Sequence, residues 1–188
     1  MVLKNGEMKI TRYWEAAFLT DCGKILAEWE MEIDRVMCKS IQMHQISDVE
    51  VGGFLSSGVD SGYIASLSQV KKTFTIGFDN PKYDEADDAR IFSESIGVWN
   101  RIYRITPDEF WTHLPKIQYY MDEPLADASS IALYFLNREA AKHVKVCLSG
   151  EGADELFAGY HIYKEPFMWE WYDRIPRMLR QAIGIIAQ

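Results

Sequence analysis

The chain has 188 residues, a formal net charge of −8, 48% hydrophobic residues and 26% charged residues. That length can bury one sizeable core, and the balance excludes disorder as the dominant state. The negative field excludes nucleic acid as a partner unless a local basic patch exists. The only basic cluster, Arg174, Arg177 and Arg180, reads as a solvated helix face.

No window approaches the roughly 18 apolar residues that a membrane span requires. The N-terminus lacks the charged-then-apolar pattern of a signal peptide. Cys22, Cys38 and Cys147 form no CxxC pair and suggest no disulfide framework, so a reducing, cytoplasmic setting is expected. Cys147 lies in an apolar run and reads as a small core residue.

Residues 1–23 read as an extended lead-in that packs on the domain. The spacing of Ile25, Leu26, Trp29, Ile33, Val36, Met37 and Ile41 predicts a helix over 24–45, with His44 near its last carbonyls. A strand over 50–55 follows, then the turn Ser56-Ser57-Gly58-Val59-Asp60-Ser61 and a helix to about position 70. Branched and aromatic residues predict a second strand over 72–78, ended by Asp79-Asn80-Pro81. Asp84 is expected to cap a helix over 85–96 that Gly97 stops.

A third strand is predicted over 101–105. Thr106-Pro107-Asp108-Glu109 has the form of a capping box with proline at the first helical position. The helix it opens runs to about Met121, with a bend or break expected at Pro115. A loop over 122–127, a helix over 128–143 and a fourth strand over 144–148 follow. The chain then enters Ser149-Gly150-Glu151-Gly152-Ala153-Asp154-Glu155 and a short helix. Residues 166–188 read as the helical start of a further part.

Strands alternating with helices imply an α/β fold, a parallel sheet with helices on both faces. Ligands in such folds bind at the carboxyl ends of the strands, where both glycine- and acid-bearing turns fall. A turn of this kind exposes backbone N–H groups beside the positive end of a helix, which suits phosphate. The hydroxyls of Ser56, Ser57 and Ser61 offer further donors, and Asp60 and Asp154 can share a magnesium ion. The plainer alternative is that Ser-Ser-Gly is only a turn and that Asp154 and Glu155 only start a helix. For Glu155 the helix-start reading is preferred.

The turn Ser56 to Ser61 resembles the pyrophosphatase-type loop of the ATP-dependent amidotransferase synthetases. The stretch Leu148 to Tyr160 resembles the signature of the glutamine-hydrolysing asparagine synthetases, as do Asp122 to Ser129 and Phe74 to Phe78. The resemblance covers about residues 10 to 165. It implies a Rossmann-like, adenine-nucleotide α-hydrolase-like ATP pyrophosphatase fold, with residues 24–165 as a partial ATP-binding synthetase domain.

The implied chemistry joins ATP, Mg2+ and aspartate into a β-aspartyl adenylate, which ammonia converts to asparagine and AMP. By the family's motif, Ser56, Gly58, Asp60 and Ser61 hold pyrophosphate, with Val59 in the same ATP-binding loop. Leu55, Ile76, Gly77, Ser149 and Gly150 meet the nucleoside or the α-phosphate. Asp60 and Asp154 ligate magnesium, and Glu151 serves acyl-adenylate formation and ammonia handling. Ser129 and Ser130 are candidates for the aspartate pocket, with an equally good role as helix N-terminal hydroxyls.

Two positions depart from the family pattern. Ser57 replaces a glycine, so the turn must run through negative φ there or carry strain. Gly62 replaces a serine. The family's N-terminal nucleophilic cysteine has no counterpart, so glutamine hydrolysis is not expected of this chain. Ammonia would come from a glutaminase domain absent here. A later lysine-bearing part is also missing, so a partial active site is expected, with an apolar surface that could drive self-association. Two further readings stay open. One is an enzyme that adenylates another carboxylate, forming a β-lactam or macrocycle; the other is an ATP-binding module without turnover.

Overall fold

A computed structural model describes residues 1–17, 23–80, 84–124, 129–165 and 174–176. The chain divides into two compact units, Met1–Lys39 and Ser40–Gln188. In the first unit, β1 (Val2–Lys4) and β2 (Glu7–Lys9) form an antiparallel hairpin. Its turn is Asn5-Gly6, both at positive φ (55° and 80°). The Asn-Gly pair is the sequence signal for such a turn, so the lead-in contains a hairpin that alternation alone did not reveal. Helix α1 (Leu26–His44) matches the predicted span, and His44 Nδ1 lies 2.8 Å from the Ser40 carbonyl oxygen.

The second unit is built on a four-stranded parallel sheet. Its elements are β3 (Val51–Phe54), α2 (Val59–Leu67), β4 (Lys72–Phe78), α3 (Ala86–Ser95), β5 (Trp99–Ile105) and α4 (Pro107–Tyr120). They continue with α5 (Ser129–Ala140), β6 (Val146–Leu148), α6 (Ala153–Phe157) and a 3-10 turn at His161–Lys164. The strand order is β5-β4-β3-β6, all parallel. The chain therefore builds outward from β3 to β5, then returns to place β6 on the other side of β3. The topological switch point lies between β3 and β6.

Both faces of the sheet are covered. On one, Ile76, Phe78, Tyr103 and Ile105 pack against Ile117 of α4 and Ile131 and Phe135 of α5. Phe74 continues that face against Leu136, Ala140 and Val144. On the other, Leu55 packs with Ala65 of α2 and with Ala89 and Phe92 of α3. The predicted α/β layering is thus present, and alternation along β4 explains it, since Phe74, Ile76 and Phe78 share one face. Gly52 in β3 lets these side chains pack close to the strand. A Cβ there would lie 2.9 Å from Phe74 Cε2 and 3.1 Å from Val144 Cγ2.

The element boundaries differ from expectation at instructive places. The capping box at Thr106 and Glu109 is present in both directions. The Glu109 carboxylate sits below its usual range, chiefly because Tyr103 donates its phenol to it. Of the bend or break expected at Pro115, the break does not occur: α4 runs from Pro107 to Tyr120 with Pro115 inside it. Proline there removes one backbone donor, while the capping box and the burial of Ile117 hold the helix on both sides of it. Helix α3 has Glu85, not Asp84, at its N-cap, although Asp84 Oδ1 still accepts from the Ala86 amide at 3.3 Å. Gly97 ends that helix at φ 70° as expected. Strand β5 begins two positions earlier than predicted, at Trp99, because Trp99 pairs with Lys72.

Within α5, Glu139 is 2% exposed; Lys142 Nζ donates to it at 2.7 Å, and Arg138 Nε lies 3.4 Å away as an ion-pair partner. Arg138 stacks its guanidinium over Phe135, 4.6 Å from the ring centre. Cys38 and Cys147 are free thiols. Cys22 and the expected helix over 166–188 lie outside the described residues, apart from 174–176. Among the described residues, no helix is long and apolar enough to cross a membrane.

Candidate functional site

Strand β3 ends at Phe54, and the next residue, Leu55, is pinned from beside it through its amide and its carbonyl. The Leu55 amide donates to the Phe74 carbonyl at 2.9 Å, and Thr75 Oγ1 donates to the Leu55 carbonyl at 2.8 Å. The chain then turns into α2 through residues 56–58. Ser57 is not among the residues at positive φ, and Gly58 adopts φ −71°, ψ 151°. The serine that replaces the family's glycine is therefore accommodated without backbone strain.

Hydroxyls close the turn on itself. The Ser56 amide donates to Ser61 Oγ at 3.0 Å, the Gly58 amide donates to Ser56 Oγ at 3.1 Å, and the two hydroxyl oxygens are 2.8 Å apart. The first intrahelical bond of α2 runs from the Gly62 amide to the Gly58 carbonyl. Among the described residues, the amides of Val59, Asp60 and Ser61 have no acceptor, as expected of a first helical turn. The hydroxyls thus shape the loop, while the backbone amides remain available as anion donors at the positive end of α2.

Strand β6 delivers the second loop alongside the first. Its register pairs Val51 with Val146 and Gly53 with Leu148. Ser149 Oγ accepts from the Glu151 amide at 3.3 Å, and the Gly150 carbonyl accepts from the Ala153 amide at 3.2 Å. A Cβ placed on Gly150 would lie 3.4 Å from the Ser61 nitrogen and 3.5 Å from Asp60 Cβ. The two loops therefore face each other across the bare Cα of Gly150.

One pocket of about 360 Å³ opens at this switch point. It gathers Leu55, Ser56, Gly58, Asp60, Ser61, Ile76, Ser149, Gly150, Glu151 and Asp154 from the sequence-derived candidates. Four other candidates lie elsewhere. Val59 is exposed at the start of α2. Gly77 is packed under α3, where a Cβ would lie 3.0 Å from the Ala86 Cβ. Ser129 and Ser130 open α5, and Ser130 lines a separate groove with Lys116, Tyr120 and Tyr134.

The pocket also contains residues that motif reading missed. Phe54, Phe78, Leu133 and Leu136 form an apolar wall, and Gly152 and Tyr160 border the acidic side. Phe78 lies two positions from Ile76, and Ala132 and Leu136 are one helical turn apart, so periodicity could have added them.

Three carboxylates, those of Asp60, Glu151 and Asp154, line the pocket, and no lysine or arginine does so among the described residues. Among the described residues, neither Asp60 nor Asp154 has a lysine or arginine beside it in the pocket. Two uncommitted carboxylates on facing loops suit a hard divalent cation that completes its shell with water and phosphate oxygens. Among the described residues, no group of three or more His, Cys, Asp or Glu forms a complete protein cage. Tyr160 donates its hydroxyl to Glu155 Oε1 at 2.9 Å, and this bond, with the nearby acids, pushes the phenol up to about 12. Burial pushes the Cys147 thiol up to about 11, so it is no nucleophile at neutral pH.

Fold and loops together define a doubly wound α/β protein with an acid- and amide-lined pocket at its switch point. The family model for asparagine synthase matches residues 32–186, and the chain belongs to the asparagine synthase family. It is 40% identical over 190 residues to glutamine-hydrolysing asparagine synthetase 1 of Bacillus subtilis strain 168, across 97% of this chain and 29% of that protein. A candidate glutamine-hydrolysing asparagine synthetase of Mycobacterium tuberculosis H37Rv is 45% identical over 161 residues, across 84% of this chain and 25% of that protein. The chain thus spans little more than a quarter of the length of these relatives. Among solved structures, an NH3-dependent NAD synthetase from Campylobacter jejuni aligns at a TM-score of 0.46 with 17% identity. That match covers 69% of this chain and 60% of that one, and it is too distant to bear on the chemistry.

Proposed function

We propose that this chain is the nucleotide-handling part of an enzyme that makes asparagine from aspartate, ATP and ammonia. The observation that carries the reading is the facing of the two loops, with Gly150 over the Ser61 amide and the Asp60 side chain. The family membership supplies the reaction class.

In this reading, the adenine and ribose lie against the apolar wall of Phe54, Ile76 and Leu136. The free amides of Val59, Asp60 and Ser61 meet the pyrophosphate that departs when the aspartate β-carboxylate attacks the α-phosphorus. Preorganised amides at a helix terminus stabilise a leaving anion without reorganising. Asp60 and Asp154 would hold a magnesium ion, which supplies countercharge to the phosphates when bound. Glu151 lies beside the reacting carbon and takes a proton from ammonia as it attacks the adenylate, releasing asparagine and AMP. The relatives are named for hydrolysing glutamine, and we assign ammonia that origin. We place the chemistry in a reducing, cytoplasmic setting, which suits the free thiols Cys38 and Cys147.

The test is pyrophosphate release from magnesium-ATP by the longest natural form of the protein, with each common amino acid in turn. Release that depends on aspartate supports the reading. Release with another carboxylate, and none with aspartate, would overturn it in favour of a different adenylating synthetase. Nucleotide binding without release would make the protein an ATP-binding module.

A further inference from the structure

Ser57 Oγ donates to Glu85 Oε2 at 2.5 Å, joining the loop after β3 to the start of α3. Glu85 is free to do this because it does not cap its own helix. It occupies the N-cap with no side-chain cap bond, and Asp84 Oδ1 serves the Ala86 amide instead. Asp84 is in turn fixed by Arg104 Nε at 3.0 Å and is only 14% exposed. The Glu85 carboxylate is therefore presented to the neighbouring loop from a braced position.

The other side-chain hydrogen bonds of residues 56–61 all close within the loop, between Ser56, Gly58 and Ser61. Among the described residues, Ser57 to Glu85 is the one hydrogen bond that ties this loop to another element. A glycine at position 57, which the family's pattern carries, could not make it.

We infer that Ser57 and Glu85 form a strut that positions the anion-binding loop and keeps the Glu85 carboxylate engaged away from the bound phosphates. Both are positioning residues. The inference rests on the reading of residues 56–61 as the phosphate loop. Engaging Glu85 matters because three other carboxylates already line the pocket without a lysine or arginine beside them. Freed from Ser57, the Glu85 side chain could turn its negative charge toward the site where the phosphates bind.

Two readouts on the longest natural form of the protein test this. The first is hydrogen exchange of the segment containing residues 56–61 without nucleotide. Losing one partly exposed, charge-assisted bond raises local opening by roughly three- to tenfold. Ser57→Ala and Glu85→Ala should each do so, and the double variant should be no faster than either single. Ser57→Thr, which keeps the hydroxyl, should exchange like the parent. The second readout is KM for magnesium-ATP. Ser57→Ala should raise it by roughly three- to tenfold, with kcat within about twofold. Ser57→Ala/Glu85→Ala should bring KM only part of the way back, because the unpaired carboxylate is gone while the loop stays loosened.

Unchanged exchange in Ser57→Ala overturns the strut, as does additive exchange in the double variant. Faster exchange with an unchanged KM leaves the strut standing and instead sinks the reading of residues 56–61 as the phosphate loop.

Discussion

The Cα of Gly150 faces the Ser61 amide so closely that a methyl group there would lie 3.4 Å from the Ser61 nitrogen. That separation is ordinary contact, so the sheet can keep its register. The methyl would, however, cover an amide that the proposed phosphate site uses. Gly150→Ala is expected to fold with unchanged stability and to bind magnesium-ATP about tenfold more weakly, the loss of one charge-assisted hydrogen bond. Isothermal titration checks this, and equal affinity for the variant and the parent would remove Gly150 from the site.

Asp60 is expected to act through a cation. Asp60→Asn keeps the side chain's size and removes its charge. Affinity for magnesium-ATP should fall about tenfold when magnesium is limiting, and part of the loss should be recovered at high magnesium. A loss independent of magnesium concentration would show that Asp60 is not a ligand.

Glu151 should separate chemistry from binding. With Glu151→Gln, turnover of the longest natural form should fall by about a hundredfold or more, the range for a lost proton-transfer group. Nucleotide affinity should stay within about threefold. Normal turnover would refute the assigned role.

Much of this arrangement was legible in the sequence. The β4 span, the Thr106 capping box and the fall of both loops at strand ends followed from alternation, caps and βα order. What was not legible has physical reasons. Pro115 looks like a break, yet α4 runs through it, with the capping box on one side and buried Ile117 on the other. Gly77 looks like part of a ligand motif, yet strand alternation turns it under α3. The hydroxyls of Ser56 and Ser61 look like phosphate donors, and the structure places them 2.8 Å apart, a mutual contact that their spacing did not reveal. The acceptors of side chains depend on tertiary neighbours that spacing does not encode. The partner of Ser57, Glu85, is 28 positions away.

The Tyr160 phenol provides a titration signature. Its proton is held by the Glu155 carboxylate, and the Glu155, Asp154 and Glu151 charges oppose a phenolate. A folded-state value raised to about 12 means that this interaction favours the fold below the ordinary phenol range near 10 and is lost as pH rises through 12. The ultraviolet difference spectrum between the parent and Tyr160→Phe should show this late ionisation. Glu155→Gln should move it back toward 10. A Tyr160 that ionises at 10 in the parent would refute the bond.

Gly52 gives a stability test away from the pocket. Gly52→Ala would press a methyl against Phe74 and Val144 and should destabilise the second unit by about 1–3 kcal/mol, as overpacking does. Chemical denaturation measures this, and a loss under about 0.5 kcal/mol, the level of ordinary surface changes, would show that the packing around β3 is loose.

The strand order also bears on how the pocket comes into being. Strands β3, β4 and β5 are consecutive in the chain and can zip together over short crossovers. Strand β6 must return past all of them to pair position 51 with position 146. Long-range closures of this kind are slow, because entropy is lost before contacts compensate. The serine turn is synthesised well before the acidic turn that comes to face it. The facing of the two loops exists only once β6 has paired with β3, and in the proposed reading a nucleotide that bridges both turns would hold that strand in place.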